Sequence, residues 1–379
     1  MSDFDLSMMT RTEQAVYRLR NLYGAYGFTP YKMSKFEAYD LYLRNKSFLL
    51  SDNIITFTDH GGKLMALKPD VTLSIVKNAD ETPGRVSKVY YNEQVYRVPK
   101  GEQSFREIMQ VGIECVGDVT AYNVSEVVCL AAKSLAALTD DYALDISHLG
   151  IVSAFLDRMG AEGKTREDIL TCIGEKNLHG VKAAGSAAGL DATLTDDLCR
   201  LVGTYGDVAT VLPRLADMVQ AADGCGLDEL NTLSDTVAAV QTAVPGARIY
   251  VDFSVIHNMK YYNGIVFRGF VKGIAAGVLS GGQYDRLLGR MGKDARAVGF
   301  AVYFDRLEDL DDSRPAYDVD TVLLYDVTTT APSVVAAAVE ARIALGEHVL
   351  AACTLPENMT YRQIIRLDEK GGESDEIHV

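Results

Sequence analysis

Strand and helix signals occupy separate stretches of this chain of 379 residues. Residues 153–244 are rich in Ala, Leu, Gly and Asp and carry almost no strand signal. Strand patterns flank this region on both sides, at 47–68, 87–96, 107–117, 248–257, 264–271 and 296–304. Chains that segregate strands from helices build α+β folds, whereas alternation builds parallel α/β sheets. The segregation therefore predicts an α+β fold with a mostly antiparallel sheet and a helical insertion at about 153–244.

Turn and helix signals predict where several elements begin. Residues 10–27 carry apolar side chains at helical spacing. The run Asp59–Gly62 is a hairpin turn signal between two strand patterns. Pro69 and Asp70 suit the start of a helix. Residues 120–138 have the pattern of an amphipathic helix. We therefore expect a helix at 10–27, a hairpin around Asp59–Gly62 and a helix after Pro69, all before the strands at 87–96 and 107–117. A further helix is expected at 120–138.

A polar junction that contains a proline, "DDSRPAYD", predicts a domain boundary near residue 315. Residues 1–314 then form the first domain and residues 315–379 a small second one. In the second domain a strand pattern is followed by a helix pattern and by two further strand patterns. We expect a small α/β unit there.

Composition excludes several classes of protein. The net charge is −15, and the sequence shows no basic stripe of the kind that binds a phosphate backbone. We therefore expect no nucleic-acid partner. The sequence shows no apolar run of the 18 or so residues that suggest a membrane span and no signal-peptide pattern, so we expect no membrane association. The six cysteines and six histidines are scattered without metal-ligand spacing. This predicts reduced thiols, a cytoplasmic location and no metal site.

Three segments carry motifs in an informative order. They are "LMALKPDVTLSIVKN" (64–78), "YYNEQVYRVPKGEQSFREIMQVGIECVG" (90–117) and, within 261–310, "YYNGIVFRGF", "LSGGQYDRLLGRMG" and "AVGFAVYFDRLEDL". Together they resemble the core of the class II aminoacyl-tRNA synthetases, specifically the histidyl branch. The resemblance covers roughly residues 8–150 and 245–310. It implies a synthetase-like core with an antiparallel sheet and a reduced relative of the anticodon-binding domain at residues 315–379.

The resemblance also implies a pocket for free histidine. Such a pocket needs an acid for the α-ammonium group, polar groups for the carboxylate and a partner for the imidazole. By position in the motifs, Asp70 and Thr72 bind the ammonium group and Glu114 faces the imidazole. Gln110 shares a strand face with Glu114, and Gly112 leaves room between them. The residues that the resemblance assigns to histidine binding are Asp70, Thr72, Arg97, Gln110, Glu114, His257, Tyr262 and Tyr284.

The residues for activating an amino acid are incomplete. Adenylate formation accumulates charge at phosphorus and needs cations beside it. Arg97 matches the motif 2 arginine, but Pro99 stands where ATP-binding members carry a glutamate. His257 replaces the catalytic arginine of the histidyl synthetases. Tyr303 replaces a glycine that leaves space for the nucleotide, although Arg306 remains. We therefore expect no catalytic residues and no cofactor.

Loss of the activating residues beside a kept pocket resembles the regulatory subunits of ATP phosphoribosyltransferase. This resemblance implies a non-catalytic homodimer that joins a short-form catalytic subunit in a hetero-oligomer. It also implies that free histidine is an effector whose binding inhibits that partner. One alternative is an active but divergent histidyl-tRNA synthetase, or a related ligase that forms an aminoacyl-adenylate. Another is an interaction module that has lost every ligand.

The pocket residues also have purely structural interpretations. Asp70 can cap the helix that it precedes, and this role can coexist with ligand binding. Gln110 can be satisfied by backbone groups, Arg97 can pair with an acid on the sheet, and His257 can be structural. Glu114 differs, because burying an unpaired carboxylate in an apolar strand is costly. Its position favours a ligand role.

Overall fold

The computed structural model describes residues 9–49, 53–79, 82–98, 104–256, 262–307, 317–368 and 373–378. The chain divides into two compact units, Met1–Leu310 and Asp311–Val379. The division lies close to the polar junction near residue 315.

The first unit contains two sheets. Its strands are β1 (Thr29–Pro30), β2 (Phe36–Ala38), β3 (Thr56–Thr58), β4 (Leu64–Leu67), β5 (Val86–Arg97), β6 (Arg106–Gly117), β7 (Tyr142–His148), β8 (Tyr205–Asp207), β9 (Ile249–Asp252), β10 (Ile265–Val271), β11 (Leu279–Gln283) and β12 (Arg296–Tyr303). Nine of them form one sheet in the order β1-β5-β6-β12-β11-β10-β7-β9-β8, and β2-β4-β3 form the other. Most neighbouring strands of the large sheet are antiparallel, as predicted, and only β1–β5 and β7–β9 are parallel.

Several strands differ from the prediction, and β1, β2, β7 and β8 were not among the strand patterns. β11 was not anticipated, because its sequence LSGGQ is rich in glycine and lacks the residues enriched in strands. The strand predicted at 248–257 ends at Asp252, and Phe253–Ile256 form a 3-10 helix. The hairpin around Asp59–Gly62 exists, but its first strand, β3, is short and exposed on every residue. A strand whose side chains are largely exposed buries little more apolar surface by becoming longer.

Eleven helices complete the described part of the first unit. They are α1 (Arg11–Ala25), α2 (Tyr39–Arg44), α3 (Thr72–Asn78), α4 (Ala121–Leu138), α5 (Leu149–Arg158), α6 (Gly163–Gly174), α7 (Leu178–Ala187), α8 (Ala192–Val202), α9 (Val208–Ala221), α10 (Leu227–Ala243) and α11 (Asp285–Arg290). Helices α5–α10 form the predicted insertion, which begins at Leu149 and holds one short strand, β8.

Helix α4 lies in the main core, where it packs with α1 and the large sheet. Its 18 residues have a mean hydropathy of 1.2, so by length and composition it is the one helix among the described residues that could cross a membrane. This corrects the expectation that no segment reaches that threshold. Leu130 and Leu135 of α4 are fully buried, and core helices of globular proteins pass the same test.

The second unit is a small α/β fold, as predicted. Its strands are β13 (Val319–Leu324), β14 (Val349–Ala352), β15 (Tyr361–Leu367) and β16 (Glu373–His378), and its helix is α12 (Pro332–Ala344). The strand order is β14-β13-β15-β16. β13 is parallel to both of its neighbours, and β16, which was not anticipated, is antiparallel to β15.

Candidate functional site

Glu114 is the centre of a buried polar cluster on one face of the large sheet. It lies on β6 and exposes only 2% of its surface. The Thr72 hydroxyl donates to Glu114 Oε1 at 2.9 Å, and the Tyr284 hydroxyl donates to Oε2 at 2.5 Å. Helix α3 and the residue after β11 thus converge on one carboxyl group. The sequence prediction that Thr72, Glu114 and Tyr284 share a site agrees with this geometry.

Burial controls the protonation of Glu114. It raises the pKa of this carboxyl to about 8, although the hydrogen bonds from Tyr284 and Thr72 oppose the shift. The nearby Asp70 adds to the rise. Each carboxyl oxygen has more than one lone-pair direction, so Glu114 can still accept from a ligand N–H. The cluster can therefore receive a planar donor such as an imidazole.

Gly299 makes room for this carboxyl group. It lies opposite Glu114 on the neighbouring strand β12. A Cβ atom at Gly299 would lie 1.7 Å from Glu114 Oε2, closer than any real contact. The glycine is therefore required by the position of Glu114 and was not recognised in the sequence.

Asp70 both caps a helix and faces the site. Its Oδ1 accepts a hydrogen bond from the backbone N–H of Leu73 at 2.9 Å, at the start of α3. Burial raises the pKa of Asp70, while the Leu73 amide and the positive charge of Arg97 oppose the rise. The cap uses Oδ1 of Asp70, so the structural interpretation holds and is compatible with a ligand role for this carboxyl group. Arg97 is itself buried at 7% exposure.

Tyr262 lies over Gly282 of β11. A Cβ atom at Gly282 would lie 2.9 Å from Tyr262 Cδ1, so Gly282 allows the ring to approach the sheet. Burial raises the pKa of Tyr262, and the charges of Tyr303, Glu114 and Asp70 raise it further. Tyr262 is therefore close to the acids of the cluster.

The room left by Gly112 is not open. A Cβ atom at Gly112 would lie 2.5 Å from the Tyr91 hydroxyl oxygen, so the Tyr91 phenol fills this space. Gln110 lies beyond it on the same strand face, is 5% exposed, and is opposed by Glu93 on β5 and Tyr303 on β12. Gly112 thus makes room for the Tyr91 ring and does not add volume to the pocket.

Two further residues of the site region were missed in the sequence. Lys68 is fully buried, and its Nζ forms an ion pair with Glu93 Oε2. Glu93 is two residues from Tyr91 on β5, so strand alternation alone would have predicted that it lies on this face. Lys68 gave no such signal, because it follows a short strand.

Tyr303, which the resemblance aligns with a glycine of the synthetases, packs against neighbouring side chains. The Tyr303 hydroxyl and the Ser280 hydroxyl are hydrogen bonded at 2.8 Å. The Arg306 guanidinium lies 4.4 Å from the centre of the Tyr303 ring and also donates to the Gly277 carbonyl. The arginine that the motif retains is thus held by the tyrosine that replaces glycine. His257 lies outside the described residues.

Comparison with known proteins gives one family and two kinds of relative. The sequence profile described as "Histidyl-tRNA synthetase" matches residues 1–307. An ATP phosphoribosyltransferase regulatory subunit from Oceanobacillus iheyensis is 27% identical over 77% of this chain and 72% of its own length. A histidine–tRNA ligase from Methanosphaerula palustris is 28% identical over 76% of this chain and 69% of its own length.

A solved structure has the same fold. It is described as an ATP phosphoribosyltransferase regulatory subunit/histidyl-tRNA synthetase from Bacillus halodurans. It matches with a TM-score of 0.76 at 20% identity and covers 97% of this chain and 98% of its own. The predicted α+β fold class and the resemblance seen in the motifs are confirmed.

Proposed function

The chain belongs to the histidyl-tRNA synthetase family, and within that family we propose that it is a regulatory subunit of ATP phosphoribosyltransferase. In this role it binds free histidine, forms no adenylate and works in a hetero-oligomer with the short-form catalytic subunit. The name of the Oceanobacillus iheyensis relative supports this role. We also propose that two copies pair through the synthetase-like core. The proposed location is the cytoplasm, in keeping with six unpaired cysteines.

One contrast within the site carries the proposal. On the amino-acid side, Thr72 and Tyr284 hold the buried Glu114 carboxyl in place. On the nucleotide side, Tyr303 occupies the space and stacks with Arg306. A histidine sensor needs the amino-acid side but does not need a nucleotide side. An adenylate-forming enzyme needs both sides open.

Calorimetric titration of the full-length chain separates these functions. We expect histidine to bind with micromolar affinity and ATP to give no heat, alone or after histidine. ATP binding beside histidine would contradict a closed nucleotide side. Absence of histidine binding, both alone and in the complex with the catalytic subunit, would contradict the sensor role.

Reconstitution with a short-form catalytic subunit tests regulation. We expect the chain to raise phosphoribosyl-ATP formation and histidine to lower it again. Glu114→Gln should keep the activation but weaken histidine binding by roughly 1–3 kcal/mol, because it leaves polar groups of the ligand unpaired. Glu107→Gln is the matched control, since Glu107 lies on the same strand but is exposed. Equal histidine inhibition in both variants would place the effector site elsewhere.

A divergent ligase is the second candidate. The Methanosphaerula palustris relative is named as a histidine–tRNA ligase, and both Arg97 and Arg306 are present here. Histidine-dependent exchange of pyrophosphate into ATP is the diagnostic reaction of that function. We expect none from this chain, and exchange above the rate of a Tyr284→Phe, Glu114→Gln double variant would establish the ligase.

A further inference from the structure

The face of the sheet that carries Glu114 continues across four strands. Directly opposed residues of neighbouring strands lie on the same face. One row of opposed residues consists of Glu114, Gly299, Gly282 and Val266. The next row consists of Gly112, Ala301, Ser280 and Arg268. The two rows are separated by about 7 Å along the strands. Arg268 of β10 is therefore on the site face, one row along the strands and three strands across from Glu114, a lateral distance of about 14 Å.

Arg268 lies opposite Asp145 of β7, and its positive charge opposes the rise in the pKa of that carboxyl group that burial causes. The Arg268 side chain is half-buried, and no hydrogen bond or ion pair joins it to another described residue. Its stem lies against Gly277, where a Cβ atom would approach Arg268 Cδ to 2.6 Å. The glycine therefore lets the arginine stem pack against the residues that precede β11. No described side chain binds the guanidinium group directly, so it is available to pair with an anionic group of a ligand on this face.

The other cations on this face of the sheet already interact with neighbouring residues of the site. Lys68 pairs with Glu93. Arg306 stacks on Tyr303. The charge of Arg97 acts on Asp70, the acid that the pocket offers to an ammonium group. Arg268 instead lies on the far side of the site, and its positive charge counteracts the rise in the pKa of Tyr262 that burial causes.

A bound amino acid needs a cation at this position. If its imidazole lies at Glu114 and its ammonium group at Asp70, its carboxylate enters half-buried surroundings and must be paired. The resemblance to the synthetases places His257 where they carry an arginine. We propose that Arg268 binds the carboxylate of the bound histidine. This inference rests on the proposed function and names the residue that makes the pocket select an amino acid over an amine.

Histidine and histamine, which lacks the carboxylate, are the probes. Each is titrated calorimetrically into the full-length chain, alone and in complex with the catalytic subunit. For Arg268→Gln we expect at least a tenfold loss of histidine affinity and unchanged histamine affinity. Arg268→Lys, which keeps the charge but not the bidentate geometry, should fall between. Arg214→Gln removes the same charge from an exposed position on α9 and should change neither.

The outcomes separate this inference from the function on which it rests. If the unmodified chain binds no histidine, the sensor role fails, and the inference fails with it. If it binds histidine and Arg268→Gln binds it equally well, the inference alone is wrong. Equal losses for histidine and histamine would show that Arg268 supports the fold of the pocket and does not contact the carboxylate. Loss of discrimination in Arg97→Gln, with none in Arg268→Gln, would assign the carboxylate to Arg97.

Discussion

Glu114 retains its proton to an unusually high pH in the folded chain. Burial raises its pKa from an ordinary 4.5 to about 8. Between these values the folded state holds a proton that the unfolded state has lost. The free energy of unfolding therefore falls as pH rises through this range, by up to about 1.4 kcal/mol per pH unit. A bound ligand that donates a hydrogen bond to Glu114 would interact with the same carboxyl group that holds this proton.

The first prediction concerns this proton. Glu114→Gln cannot titrate, so the variant should gain stability relative to the unmodified chain as pH rises from 5 to 8. Denaturant unfolding of both proteins without histidine, at pH 5, 6.5 and 8, measures the difference. Contributions from Asp145 and His148, whose pKa values are also shifted, are common to both proteins and cancel. A difference that is constant with pH would mean that Glu114 is ionised throughout.

The second prediction concerns the buried pair of Lys68 and Glu93. Removing one member of a buried ion pair leaves an uncompensated charge and typically costs about 3–5 kcal/mol. We expect this loss for Lys68→Met, and we expect Lys68→Met with Glu93→Gln to recover most of it. A cycle of the four proteins, unfolded in denaturant, gives the coupling energy. Additive losses in the double variant would show that the two side chains do not depend on each other.

Single residues of the site were predictable where a motif gave them a fixed place. Thr72, Glu114 and Tyr284 were assigned together by the resemblance, and their side chains are hydrogen bonded in the structure. The partnership of Lys68 with Glu93 was not predictable, because it depends on a contact across 25 positions of the chain. Nothing in the local pattern encodes such a contact.

Whole elements were predictable where local signals agreed. Helix α4 has the expected apolar face and is capped by the Thr120 side chain. Strand β11 was missed because its glycines argue against a strand in isolation. They are needed by its neighbours: a Cβ atom at Gly281 would lie 2.4 Å from the Gly299 carbonyl oxygen. Tertiary packing, which a local pattern does not contain, decides this element.

The third prediction concerns Gly299 of β12, the glycine opposite Glu114. Gly299→Ala should displace the Glu114 carboxyl and abolish histidine binding, because the added Cβ atom would lie 1.7 Å from Oε2 and 2.5 Å from the Ile113 carbonyl oxygen. The control is Gly289→Ala in α11, where nothing lies within 4 Å. That change should alter stability by no more than about 1 kcal/mol. Histidine titration and thermal melting of both variants test this, and normal binding by Gly299→Ala would show that the strands can shift apart.

The molecule as a whole depends on strand register, which joins distant segments into one site. Asp70 and Glu114 come from two separate segments of the chain, and Tyr262 and Tyr284 come from a third. The order of motifs in the sequence identified these parts, but the register decides that Arg268 lies one row from Glu114. A shift of one residue would turn every side chain of a strand to the other face. The sequence alone therefore does not indicate that Arg268 lies on the same face of the sheet as Glu114.

The fourth prediction follows from the division into two units, Met1–Leu310 and Asp311–Val379. Each unit has its own buried apolar clusters, so we expect calorimetric unfolding in two transitions. All proposed histidine contacts belong to the first unit. Histidine at 100 times its dissociation constant should therefore stabilise that unit by about 2.7 kcal/mol and leave the other transition unchanged. A fragment ending at Leu310 identifies which transition belongs to which unit. If histidine moves both transitions of the full chain equally, the units unfold as one, and residues 311–379 contribute to the response to histidine.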